Sequence, residues 1–271
     1  MDGPRRHYPI VSVLLGLATM LLPCQASSDE LRLSVDPRLG FKVVTVPEDS
    51  PVPDVQVQGI TELRGMEYGL SMTARGGPLG DTDYIVTALY SPNQTGAFDS
   101  IANVDGTALP FSGDVTAERL DIELVLRRQI RDTGLFWFVG LQYTTTDLEL
   151  ESSTPEGEPF DAERESDTYI IKAGVSVVQS ITGDGRHRLF ASYIPGVGRH
   201  SSDIRTRDGQ RFTDDGLVLA NDINFGYQHI FSAVTSLTVR YRAQIAYLTF
   251  DQHDDAVFLQ QGFELGLGYT F

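Results

Sequence analysis

Cysteine is almost missing from the 271 residues: Cys24 is the only one. A single thiol forms no internal disulfide and excludes zinc and iron–sulfur sites built on several cysteines. Apolar runs long enough to cross a membrane as a helix are missing too. The N-terminal run Ile10–Leu22 has thirteen residues, where a spanning helix needs about 20. Basic residues are in deficit, 21 Lys and Arg against 37 Asp and Glu, for a net charge of −16. That balance excludes nucleic acid as the partner, because phosphates need a cationic face. Helical periodicity is also lacking after about residue 30.

The N-terminus has an order of its own. Arg5 and Arg6 precede the apolar run, and Cys24-Gln25-Ala26 places small residues around an A-x-A-type cleavage site. Basic head, short apolar centre and small-residue exit predict a secretory signal peptide over 1–26. Pro23 directly before Cys24 is a poor fit to a lipoprotein site. Residues 27–271 then form one exported, cysteine-free unit, since neither a repeat nor a linker marks a second domain.

Within that unit, alternation is everywhere. Phe263, Leu265, Leu267, Tyr269 and Phe271 share one face, while Glu264, Gly266, Gly268 and Thr270 share the other. A period of two means a strand with one apolar and one polar face. The pattern recurs over 120–127, 135–143, 169–177, 217–228 and 237–247, and more weakly near 66–74, 83–90 and 186–197. After residue 128 the connections run short, long, short, long, short, medium, with 129–133, 181–185 and 231–235 as the short ones. Strands of about ten residues joined by such unequal links predict a transmembrane barrel with tight periplasmic turns and long outside loops. Aromatic residues six apart on the apolar face (Tyr84 and Tyr90, Trp137 and Tyr143, Tyr241 and Tyr247, Phe263 and Tyr269) suit two interfacial girdles.

The last strand resembles the C-terminal signature of bacterial outer-membrane β-barrel proteins, a terminal Phe preceded by alternating aromatic and aliphatic residues. Here Phe271, Tyr269, Leu267, Leu265 and Phe263 fill it. The resemblance implies a Gram-negative outer membrane, contact with its lipid and lipopolysaccharide, and insertion by the barrel-assembly machinery. It names no subfamily. A periplasmic C-terminus and even strand parity require a further strand near 39–46, with 47–63 as its loop. The expected fold is therefore all-β, an antiparallel up-and-down barrel of ten strands. Eight strands with a periplasmic N-terminal segment is the alternative.

If the apolar faces meet lipid, Asp121, Glu123, Lys172, Asp222, Arg240, Arg242 and Glu264 point inward. Alternating signs in an enclosed place predict a mutually neutralising ion network, because an isolated buried charge is costly. Small barrels are filled by their side chains, which excludes a wide porin for a monomer. Segment 147–167 carries nine carboxylates against Arg164 alone and reads as an acidic extracellular loop, as do 47–63 and 250–255. Hard cations take carboxylate oxygens, but no EF-hand order is present, so no metal or other cofactor is implied. Loop 198–214 balances Arg199, Arg205, Arg207 and Arg211 with Asp203, Asp208, Asp214 and Asp215, a set suited to local ion pairs.

These residues support a structural, adhesive or small-pore role, and two hydrolase alternatives are weaker. An omptin-like protease needs an acidic pair and a His–Asp pair at one water. Asp81-Thr82-Asp83 falls at an expected periplasmic turn, opposite Asp251-Gln252-His253. A lipid A deacylase needs an activated Ser–His relay, and His200-Ser201-Ser202-Asp203 supplies only the residue types. A soluble, lipid-carrying barrel is a third alternative and requires apolar residues facing inward. The export reading predicts that the mature protein begins at Ser27; N-terminal sequencing that finds an intact Met1 overturns it.

Overall fold

The computed structural model describes residues 32–47, 56–58, 60–76, 82–104, 107–131, 133–153, 159–207, 209–250 and 256–271. The expected signal peptide lies outside them. The described residues form eleven strands: β1 (Arg32–Pro47), β2 (Gln56–Gln58), β3 (Ile60–Arg75), β4 (Thr82–Val104), β5 (Thr107–Gln129), β6 (Leu135–Ser153), β7 (Pro159–Ser180), β8 (His187–Thr206), β9 (Arg211–Ile230), β10 (Thr235–Phe250) and β11 (Ala256–Thr270). Every long strand pairs antiparallel with its chain neighbours, and β1 pairs with β11. Ten strands thus close into an up-and-down barrel, and the three-residue β2 extends the edge of β4. The strand expected at 39–46 falls in the second half of β1, whose ladder runs from Arg32–Arg75 to Pro47–Ile60 against β3.

Alternation sorts the side chains as a membrane requires. On β7, Ile171 is 61% exposed outward while the adjoining Lys172 is 1% exposed inside. On β11, Phe263 is 62% exposed and Glu264 is buried. The outward apolar stretches cover Leu135–Tyr143, Tyr169–Val177, Leu189–Val197, Leu217–Tyr227 and Leu237–Tyr247. Nine to eleven tilted residues are what a bilayer crossing needs. Tyr68, Tyr90, Tyr143, Tyr169 and Tyr247 point outward near one end of the band. Across β9, β10 and β11, Phe225, Tyr241 and Phe263 form a row of rings at 4.9 and 5.1 Å.

The strands run further than expected. Segments 148–166 and 198–214, expected as long loops, are mostly the ends of β6 and β7 and of β8 and β9. The reason is visible in the phase. Leu148 and Leu150 turn into the lumen while Asp147, Glu149 and Glu151 turn out. The strand keeps its period, but beyond the tyrosines its outer face meets water instead of lipid. β3 and β4, β5 and β6, β7 and β8, and β9 and β10 follow one another at one end, the turn end of the barrel, and both described chain ends lie beside it. The connections at the other, loop end fall largely outside the described residues.

The lipid face can be tested at Ile171, which stands between Leu141 and Val197 on the neighbouring strands. Ile171→Arg, two residues inside Tyr169, should lower stability in lipid vesicles, by less than the roughly 2–4 kcal/mol that a charge costs at the bilayer midplane. Ser201→Arg, above the band on β8, should leave the urea midpoint unchanged. Equal tolerance of both substitutions contradicts the band.

Candidate functional site

The lumen holds the chain's unusual chemistry, and it is layered. At the turn end, Asp83 is clasped by Arg75 at 2.6 Å and by Arg127 at 2.7 Å, and Arg127 also lies over the Phe136 ring. Further in comes an ion network that crosses the barrel. Lys42 on β1 pairs with Glu67 on β3 and reaches Asp121 on β5 at 3.4 Å. Arg119 grips the same Asp121 through two contacts of 2.9 and 3.0 Å. Lys172 on β7 pairs with Asp222 on β9 and lies 3.5 Å from Glu123 on β5. Arg242 lies 3.6 Å from Asp222. Arg240 and Arg38 flank Glu264 at 3.7 and 3.6 Å, and Arg38 also holds Asp36.

Six cations thus oppose six carboxylates, and the layer is neutral. Neutral amides and hydroxyls complete it. Thr144 and Gln142 donate to Asp121 at 2.5 and 3.2 Å, and Gln244 donates across the lumen to Gln142 at 3.2 Å. Close packing extends below: a Cβ on Gly226 would meet the Phe190 ring at 2.5 Å, and that ring carries the Arg240 guanidinium on its face at 5.8 Å.

The seven residues expected inside (Asp121, Glu123, Lys172, Asp222, Arg240, Arg242 and Glu264) all face the lumen and join these pairs. The register decides the pairing. Arg242 is set between Asn224 and Gly262, so it serves Asp222, while Arg240 stands directly opposite Glu264. Asp36, Arg38, Lys42, Glu67 and Arg119 complete the twelve and are not among the residues expected from sequence. Arg119 had a signal, because it lies two residues before Asp121 on the same face. Arg38, Lys42 and Glu67 lie on β1 and β3, where the lumen-facing Gly40, Gly65 and Gly69 break the polar side of the alternation. Of the terminal signature, Phe263, Leu265, Leu267, Tyr269 and Phe271 are all exposed outward, and the Phe271 N–H donates to the Leu33 carbonyl at 2.8 Å across the β1–β11 seam.

Beyond the network, the β7–β8–β9 side is polar. The Thr168 hydroxyl meets His200 Nδ1 at 2.8 Å, and Arg164 lies 3.4 Å from His200 Nε2. Burial, together with the Arg164 guanidinium, pushes the His200 imidazole down to about 4, against the opposing pull of Asp214. It is therefore neutral at pH 7. Alternation splits the His200–Asp203 run: His200 and Ser202 face in, while Ser201 and Asp203 face out, where Asp203 binds Arg205 and Arg211. Arg207 pairs with Asp161. His187 and His229 sit beside the turns on the outer face, with ring centroids 4.5 Å apart and planes tilted by 44°. Asp83 is at the turn end, whereas β10 and β11 reach toward 251–255 at the loop end; Asp81, Asp251 and His253 lie outside the described residues. Among the described residues, no group of three or more His, Cys, Asp or Glu side chains is arranged to hold a metal ion.

No protein-family model matches this sequence, and no curated protein matches it. The fold is similar to that of the outer membrane protease OmpT from Escherichia coli, over 90% of this chain and 99% of that chain, with 11% identity and a TM-score of 0.57. The translocator domain of the autotransporter NalP from Neisseria meningitidis matches 96% of this chain and 95% of that one, at 12% identity and a TM-score of 0.49. At such identity the likeness to OmpT is one of architecture: this chain is a ten-stranded antiparallel barrel of the outer-membrane type.

Proposed function

We propose that this chain is an integral β-barrel of the Gram-negative outer membrane, exported through a cleaved signal peptide and inserted by the barrel-assembly machinery. Its role is structural and adhesive rather than conductive. The turn end faces the periplasm, and the acidic strand extensions stand outside among the lipopolysaccharide heads. The observation that carries this reading is the neutral layer of twelve charges across the lumen. An ion entering it would have to displace partners already matched at close range, and desolvated charges give up partners at high cost.

The alternatives fare worse on geometry. A soluble lipid carrier needs an apolar interior along its whole length, but the outward face is the apolar one over the spanning stretches. Omptin-like hydrolysis would require the Asp83 end and the loop end to meet. A Ser–His–Asp relay within 200–203 is divided between two faces of β8.

The test combines localisation, conductance and stability. The protein should fractionate with outer membranes, migrate heat-modifiably on gels and give no conductance steps in planar bilayers. Arg242→Ala should lower unfolding stability by roughly 3–5 kcal/mol, because Asp222 and its neighbours lose a buried partner, and should open a small conductance. Porin-scale steps from the wild type, or wild-type unfolding of Arg242→Ala, would overturn the sealed-barrel reading.

A further inference from the structure

Above the ion network the lumen is not filled. A cavity of about 80 Å³ lies there, lined on one side by the hydroxyls of Thr144, Thr146, Ser166 and Thr168. The rest of the wall includes aliphatic side chains and one ring: Val44, Leu63, Leu148, Val218, Leu248 and Phe258. The floor includes Gln94, Gln244 and Gln260. Gln94 is 1% exposed and Gln260 is 5% exposed, yet Gln94 Nε2 and Gln260 Oε1 have no hydrogen-bond partner among the described residues. Leaving a buried amide unmatched costs about 1–3 kcal/mol, so two on one cavity floor call for an explanation.

The backbone around Gln94 is shaped to put it there. Between Ser91 and Gln94, β4 carries one residue more than β5 and β3, a β-bulge. Asn93 takes φ 49° within it, the left-handed region that asparagine tolerates better than most residues. The extra residue reverses the phase of the strand, so Ser91 and Gln94 both face the lumen. Without it, Gln94 would point outward. Opposite, Gly65 leaves room: a Cβ there would lie 3.0 Å from Gln94 Cγ. Bulges commonly re-aim a side chain beside a functional site, and here bulge, glycine and positive φ all serve one buried amide.

We propose that the outer half of the lumen is a binding site for a small uncharged amphiphile, a short aliphatic chain ending in a primary amide or hydroxyl. The polar end accepts from Gln94 Nε2 or donates to Gln260 Oε1, and the chain lies along the aliphatic wall. An uncharged head is favoured because the unmatched groups are a neutral amide N–H and a neutral amide carbonyl, and Arg119 at the cavity is already matched by Asp121. The volume is about half of the roughly 150 Å³ that admits benzene in an apolar cavity, so only the polar end and the first few carbons are enclosed. The rest extends toward the loop end.

The experiment is calorimetric titration of the full mature barrel in lipid nanodiscs with hexanamide, against empty nanodiscs. Saturable one-to-one binding is expected. Gln94→Leu and Gln260→Leu should each weaken it at least fivefold while leaving heat-modifiable migration intact, since each removes an unmatched polar atom rather than a pair. Ala246→Leu, which adds volume at the cavity wall, should abolish binding by filling the space. Hexanoate should bind at least tenfold more weakly than hexanamide. The proposal fails if the wild type shows no saturable binding, if the folded double variant Gln94→Leu/Gln260→Leu binds as the wild type does, or if hexanoate is preferred.

Discussion

The seam between β1 and β11 is the interaction on which the rest depends. In hydrocarbon there is no water to satisfy an open strand edge, and each unmatched backbone group costs several kcal/mol. The ladder from Ser34–Thr270 to Thr45–Leu259 removes that edge. Closing ten strands also encloses a lumen narrow enough for side chains to fill. Whatever charges lie inside must then find partners inside. Those partners come from distant parts of the chain, Lys42 with Asp121 at 79 residues and Lys172 with Asp222 at 50. Neutralisation is therefore complete only once the ring is shut, and it links sealing of the lumen to closure of the sheet.

The sequence was most legible where one face meets lipid and the other meets the ion network. There the contrast between Phe263 and Glu264, or between Ile171 and Lys172, is as large as side-chain chemistry permits. It was least legible where the outer environment changes. Asp147-Leu148-Glu149-Leu150-Glu151 alternates as strictly as the C-terminal strand, with the apolar phase now inside. High charge made it look like a loop, and the reversed phase was the signal that the strand had left the bilayer. The same reversal occurs on β5, where Val115 and Ala117 face in and Leu120, Ile122 and Leu124 face out. On β1 and β3, glycines facing the lumen erased the polar half of the pattern. The bulge before Gln94 left no periodic trace at all, because a single inserted residue only interrupts a period.

The two halves of the lumen are built on different terms. Toward the turns, charge meets charge and little space remains. Toward the loops, neutral amides, hydroxyls and an aliphatic wall line open volume. The division follows the membrane only loosely, since the aliphatic wall begins on β10 and β11, at Ala246 and Phe258, while their outer faces are still apolar.

The outer extensions carry a consequence in their cross-strand register. Glu118, Asp147, Glu165 and Asp203 stand directly opposite one another on four successive strands. Like charges at adjacent positions push neighbouring strands apart; Arg205 and Arg211 offset this at Asp203, and burial with the facing Glu165 and Glu118 holds the Asp147 carboxyl above its ordinary range. Backbone hydrogen bonds and electrostatic repulsion thus compete in these hairpin ends. Added salt shortens the reach of the repulsion. The part of the barrel outside the bilayer accordingly stiffens with ionic strength, while the lipid-embedded part, whose charges are enclosed and matched, does not respond.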